Sequence, residues 1–259
     1  MKRFLLIPML IFCQIVFSQD MISKEDLLSK LKIAKDDTSK VKLLMQFHES
    51  VPPTEPLEMQ NYMQEALKLS QNLGYKKGIA ETSGYLGFGY QLNYDSSMKY
   101  YSISLKAWEE VNNPEQISLT FLRIGKQYEY KKRYNDALKI YLKAKETDNK
   151  NLKATEEYKK RYALYAIATL SEKMGNKEKE KPRRDSLYAL ALDSYSIILE
   201  MDQKGENFLD NQIINVADIY VKLDQFEKAA PLYNKVIENK RSQSEKAMVM
   251  TEVAKKYEK

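Results

Sequence analysis

The sequence predicts an all-α fold made of repeated helix-turn-helix units, and three observations carry that prediction. Eight glycines and seven prolines in 259 residues leave few places where a helix must break, and the chain is rich in Leu, Ala, Lys, Glu and Tyr. Apolar residues recur at spacings of three and four, the period of one helical face, and not at two. A motif of a small residue followed by alanine and tyrosine also returns at a fixed step. Gly125 to Ala137 is twelve residues, and so is Ala217 to Ala229.

Residues 1–18 read as a secretory signal peptide. Lys2 and Arg3 precede an apolar run from Phe4 to Phe17 broken only by Pro8 and Gln14, and Ser18 supplies the small residue for cleavage before Gln19. The run is shorter than the roughly 20 residues that span a bilayer, and no later stretch approaches that length. The expectation is an exported protein, periplasmic or secreted, without a membrane span in the mature chain. Cys13 follows Phe12, not the small residue that a lipid-attachment box requires, so it is expected to leave with the leader. The mature chain then has neither thiol nor disulfide, and its stability rests on packing. Without Lys2 and Arg3 the formal charge falls from +6 to about +4. That balance, with charges alternating in sign along the chain, argues against a nucleic-acid partner, which needs a basic face.

The elements follow in order. Ser23 and Asp26 predict a capped N-terminal helix with Leu27, Leu28 and Leu31 on one face. "VPPTEP", residues 51–56, predicts a turn, followed by a helix with Met59, Met63 and Ala66 inward. Leu86, Gly87 and Tyr90 then lead to Ser97, Tyr101 and Ser104 in a second helix. Phe121, Ile124, Gly125 and Tyr128 share a face and lead to Ala137, Tyr141 and Ala144. Leu164, Ile167 and Ala168 lead to Ala191, Tyr195 and Ile198, and Ile213, Val216, Ala217 and Tyr220 lead to Ala229, Tyr233 and Val236. Breaks are expected at Asn72 to Gly78, Asn112 to Pro114 and Lys204 to Asn207. An insertion at 176–186, "NKEKEKPRRDS", reads as an exposed charged loop. Pro231 is expected to kink the last second helix or delay its start. Ala247, Met250, Val253 and Ala254 begin a final amphipathic helix within 244–259.

These motifs resemble tetratricopeptide (TPR) repeats, whose first helix carries an aromatic, a Leu-Gly pair and a Tyr, and whose second carries Ala and an aromatic. The similarity covers most of residues 19–259, as approximate repeats 38–74, 80–113, 118–151, 161–203 and 210–243. It implies a right-handed superhelical α-solenoid of about five repeats plus terminal capping helices. Gly125 then has a purpose: helix axes approach closely where small side chains meet, and Gly125 and Ala137 are the expected contact points. The resemblance also implies a concave groove lined by first-helix residues. In this chain these are Glu81, Gly84, Phe88 and Gln91; Leu119, Leu122, Lys126 and Glu129; Tyr162, Tyr165, Thr169 and Glu172; Asn211, Ile214, Asp218 and Val221. The candidate peptide-binding residues among them and their repeat-mates are Phe88, Gln91, Leu122, Lys126, Glu129, Tyr162, Tyr165, Thr169, Ile214 and Asp218. TPR domains that clamp a terminal carboxylate place Lys and Asn at two groove positions where this chain has neither in combination, so no such clamp is expected.

Chemistry is sparse. The mature chain has one histidine, His48, and no cysteine, which excludes thiolate sites and sites with two histidines. Acid pairs such as Glu109 and Glu110 are sequence neighbours that point apart on a helix. "GYLGFG", residues 84–89, lies within a predicted helix, whereas a dinucleotide loop sits between strand and helix. No catalytic residue, metal site or cofactor is expected. The expected role is an extracytoplasmic, non-catalytic scaffold for a protein or peptide partner. The alternative is the sensory region of a signalling protein, since exported repeats ending in a helix such as "VAKKYEK" are similar to those of bacterial histidine kinases and regulators.

Overall fold

The computed structural model describes residues 24–50, 56–151, 157–201, 209–240 and 242–257. Twelve helices make up nearly all of them, and no strand occurs among the described residues, so the fold is all-α. The leader with Cys13, Ser23, the 51–55 turn and Lys204 to Asn207 lie outside the described residues, as does the side chain of His48. The chain forms two compact units, residues 1–107 and 108–259.

The first unit holds α1 (Lys24–Ile33), α2 (Thr38–Ser50), α3 (Pro56–Asn72), α4 (Lys76–Gly89) and most of α5 (Tyr94–Val111). Leu27, Val41, Leu44, Phe47, Met63, Ala66 and Leu86 are wholly buried. Phe47 and Tyr62 stack with ring centroids 3.9 Å apart, tying α2 to α3. Leu28, expected inward beside Leu27, turns out to be 36% exposed: adjacent helical residues point about 100° apart, and Leu27 takes the inner position. The break expected at Asn72 to Gly78 is shorter, because α4 already begins at Lys76. Gly74 supplies the positive φ of +63° that turns the chain, and Gly78 is buried inside α4.

Helices α4 and α5 nest through small residues. A Cβ at Gly87 would lie 2.5 Å from Cδ1 of Tyr101, so only glycine lets that ring lie flat on α4. The hydroxyls of Ser97 and Ser104 donate across the seam to the backbone carbonyls of Gly87 (2.8 Å) and Ala80 (2.7 Å). These bonds satisfy buried polar groups that would otherwise be costly. Glycines 84, 87 and 89 all belong to α4, as the sequence implied.

The second unit holds α6 (Pro114–Tyr130), α7 (Tyr134–Asn151), α8 (Glu157–Gly175), α9 (Lys181–Met201), α10 (Leu209–Lys222), α11 (Phe226–Asn239) and α12 (Gln243–Tyr257). The α6 start is set by Asn113, whose side chain accepts from the Gln116 N–H at 3.1 Å, and by Pro114 in the first turn. Helices α6 and α7 are joined by a three-residue turn in which Lys132 has φ +58°. Asp224 does the same between α10 and α11, also with φ +58°. In each, an N–H just beyond this residue returns to the helix: Arg133 to Tyr128 O (2.9 Å) and Gln225 to Tyr220 O (2.8 Å).

Three expectations change in the structure. The nearest neighbour of Gly125 is not Ala137. The glycine lies under the ring of Tyr141, where any Cβ would overlap Cε1 and Cδ1, while Ala137 is buried beside it in a cluster with Ile167 and Leu170. The partner of the small residue is therefore a large one, a flat ring that fits only where the opposite helix lacks a side chain. The insertion is mostly helix: α9 begins at Lys181, leaving only residues 176–180 as connection. Pro182 sits in its first turn, where no N–H is needed, and Lys181 pairs with Asp185 at 3.0 Å one turn on. Pro231 does not delay α11, which starts five residues earlier at Phe226 and continues through the proline to Asn239.

Candidate functional site: the first-helix face of the second unit

The small-residue seam sets up a polar ladder. Tyr141, 2% exposed, crosses over Gly125 and its hydroxyl donates to Oε2 of Glu129, one helical turn further along α6, at 3.0 Å. On the next pair Tyr195 packs in the cluster that contains Ala168, and its hydroxyl donates to Oε2 of Glu172, again one turn beyond the small residue, at 3.2 Å. On the third, Tyr233 packs with Ala217 and donates to Oδ1 of Asp218. Burial, reinforced by the neighbouring carboxylate, holds the Tyr141 and Tyr195 hydroxyls well above their ordinary pKa, so both stay protonated donors.

Glu129 and Glu172 are also gripped from the following pair. Lys173 on α8 approaches Oε1 of Glu129 on α6 at 3.6 Å, and Lys222 on α10 approaches Oε1 of Glu172 on α8. Both lysines hold the same place, one residue after the acid's position in their own helix. Each acid is thus fixed by a tyrosine from its own second helix and a lysine from the next first helix. Lys126 adds a contact to Glu129 at 3.4 Å and lies 5.5 Å from the Tyr130 ring centroid. The sequence reading did not reach this ladder, although the small-residue-to-acid step of four is shared by Gly125 to Glu129 and Ala168 to Glu172.

The predicted groove residues divide sharply. Phe88 and Gln91 belong to the first unit. Phe88 is 50% exposed on α4, whereas Gln91 lies past the end of α4, in the turn that follows. In the second unit Leu122 packs against the α7 and α8 cluster and Ile214 against the Ile213, Val236 and Val249 cluster, so both are half-buried. Thr169 donates to the Tyr165 carbonyl of its own helix at 2.8 Å. Glu129 and Asp218 are engaged as described. Among the second-unit candidates, the side chains left facing solvent are Lys126, Tyr162 and Tyr165. Tyr162 and Tyr165 are 63% and 49% exposed, with Tyr165 edge-on to Tyr195 at 6.4 Å.

No protein-family model matches the sequence, and no curated protein does either. Solved structures do share its fold. BtubC (BKLC) from P. vanneervenii superposes with a TM-score of 0.56 at 15% identity, covering 82% of this chain and 85% of that one. The apo form of the quorum sensor NprR from B. thuringiensis gives 0.52 at 16% identity, covering 90% of this chain and 64% of NprR, so the chain spans less than two thirds of NprR's length. The fold is that of an all-α helical-repeat protein. Among the described residues no helix is long and apolar enough to cross a membrane.

Proposed function

We propose that this chain is an exported, non-catalytic TPR-type scaffold that docks a protein segment against the first-helix face of its second unit. The observation that carries the reading is the pair Tyr162 and Tyr165. The tyrosines of the second helices, Tyr141, Tyr195 and Tyr233, are buried, while these two stand in solvent on a first helix. Tyrosine is a preferred interface anchor because it offers a large contact area for little lost rotamer freedom. Lys126, 53% exposed, adds a cation on the neighbouring first helix. The lysine-to-carboxylate contacts hold successive first helices in register, and a rigid face of this kind binds at low entropic cost.

The test is capture from an envelope extract by the wild type and by a Tyr165→Ala, Lys126→Ala double variant. Loss of a specific partner from the variant is the expected result, and equal capture refutes the docking face. Export is tested by recovering the protein from the periplasmic or culture fraction with an N-terminus at Gln19.

A second reading, the sensory region of a signalling protein, is supported by the similarity to NprR, itself a quorum sensor. Coding sequence beyond Lys259 containing an apolar stretch would favour it.

A further inference from the structure

A pocket of about 210 Å³ lies where the α6 to α7 turn meets the α8 to α9 connection. Lys132, Lys177 and Arg183 bring three cations to its wall, with Tyr134, Asn135 and a single acid, Glu178. The lysines are positioned rather than loose. Lys132 projects from the positive-φ corner of its turn. The Tyr134 ring holds Lys177 at 5.4 Å and Lys173 at 4.8 Å from its centroid. Neither Lys132 nor Lys177 has a carboxylate within ion-pair distance among the described residues.

Glu178 shows which chemistry the wall accepts. Its Oε2 takes the Arg183 Nε at 3.1 Å, while its Oε1 takes the backbone N–H of Lys179 (2.9 Å) and of Glu180 (3.2 Å). The chain has thus seated one of its own carboxylates beside an arginine and left two further cations unmatched. We propose that this pocket is a docking point for an acidic peptide segment, whose carboxylates engage Lys132 and Lys177 and compete with Glu178 for Arg183. The charge balance of the wall, three cations to one acid, sets the sign of the ligand. The planar arginine fork suits a carboxylate. The segment 176–186 is then a recognition element, built by the five-residue connection and the first turn of α9.

The probe is a fluorescein-labelled hexaglutamate peptide titrated with the full folded chain at low ionic strength, read by fluorescence anisotropy. Lys177→Ala with Arg183→Ala is expected to weaken binding about tenfold, the scale of two charge-assisted contacts. Glu178→Gln, which removes the internal competitor, is expected to tighten it. Lys139→Ala, an exposed lysine on α7 outside the pocket, is expected to change nothing. The substituted side chains are exposed or half-buried, so far-UV circular dichroism should be unchanged. Equal binding by the wild type and the double variant overturns the proposal. So does equal weakening by Lys139→Ala, or displacement of the probe by inorganic phosphate as readily as by unlabelled hexaglutamate.

Discussion

Replacing Gly125 by alanine sets two physical effects against each other. Helix propensity alone favours the change by about 1 kcal/mol. The new Cβ, however, overlaps Cε1 and Cδ1 of Tyr141 and approaches Cζ at 3.0 Å. That ring is 2% exposed, packed with Ala137, Ile167 and Leu170, and anchored through its hydroxyl to Glu129, so it cannot withdraw alone. Overpacking costs about 1 to 3 kcal/mol, and losing a hydrogen bond to a charged group about 1.5 to 3 kcal/mol. The net expectation is destabilisation by about 1.5 to 5 kcal/mol, as sterics overwhelm propensity. Urea denaturation followed by far-UV circular dichroism measures it. The same substitution in a Tyr141→Ala background should reverse sign and stabilise by about 1 kcal/mol, because only propensity is left. A wild-type background stabilised by Gly125→Ala, or equal effects in both backgrounds, would refute the argument.

Other outcomes are expected on the same grounds. Tyr195→Phe should cost about 1.5 kcal/mol by removing a buried donor from Glu172, and Lys222→Met should cost less, about 0.5 to 1 kcal/mol, and less still in high salt because the pair is partly exposed; both are read by urea melts at two ionic strengths. Lys132→Gly should stabilise by about 1 kcal/mol, since a non-glycine residue at φ +58° carries strain that glycine avoids, a change visible as a higher denaturation midpoint. Asp210 gives a pH signature. Burial alone would raise its pKa, but hydrogen bonds from Lys240 at 2.8 Å and Asn239 at 3.0 Å outweigh burial and hold it below the ordinary value. The folded state therefore binds that proton less readily than the unfolded chain. Its stabilisation is complete above about pH 4 and is lost as the pH falls through the depressed value. Asp210→Asn should flatten the acid limb of a stability-against-pH curve and leave the neutral region with little slope change.

The pairing of helices was legible because it rests on size, and size is written in the residue types. Gly125 and Tyr141 are sixteen residues apart, as are Ala217 and Tyr233, and a three-residue turn makes that spacing a contact across a hairpin. The sequence pointed to Ala137 because alanine looks like glycine's natural companion. Packing chose the ring instead, since a flat aromatic fills the space that a missing Cβ leaves. The insertion is less legible for a related reason: alternating Lys and Glu describe a solvated loop and a solvated helix face equally well, and the signal that separates them is Pro182, a residue that starts helices as readily as it ends them. The groove residues were the least legible. Periodicity places Glu129, Leu122 and Ile214 on the correct helices, but only geometry shows that neighbours already claim them.

The lysine and glutamate that link one helix pair to the next have a consequence for how such a chain grows or shrinks. Glu129 offers its carboxylate forward and Lys222 offers its amine backward, with the α8 and α9 module presenting one of each between them. Excising that module would bring two ends of opposite sign together, and duplicating it would create a junction of the same kind. The array thus carries interchangeable couplings, and its length can change by whole modules without inventing a new joint.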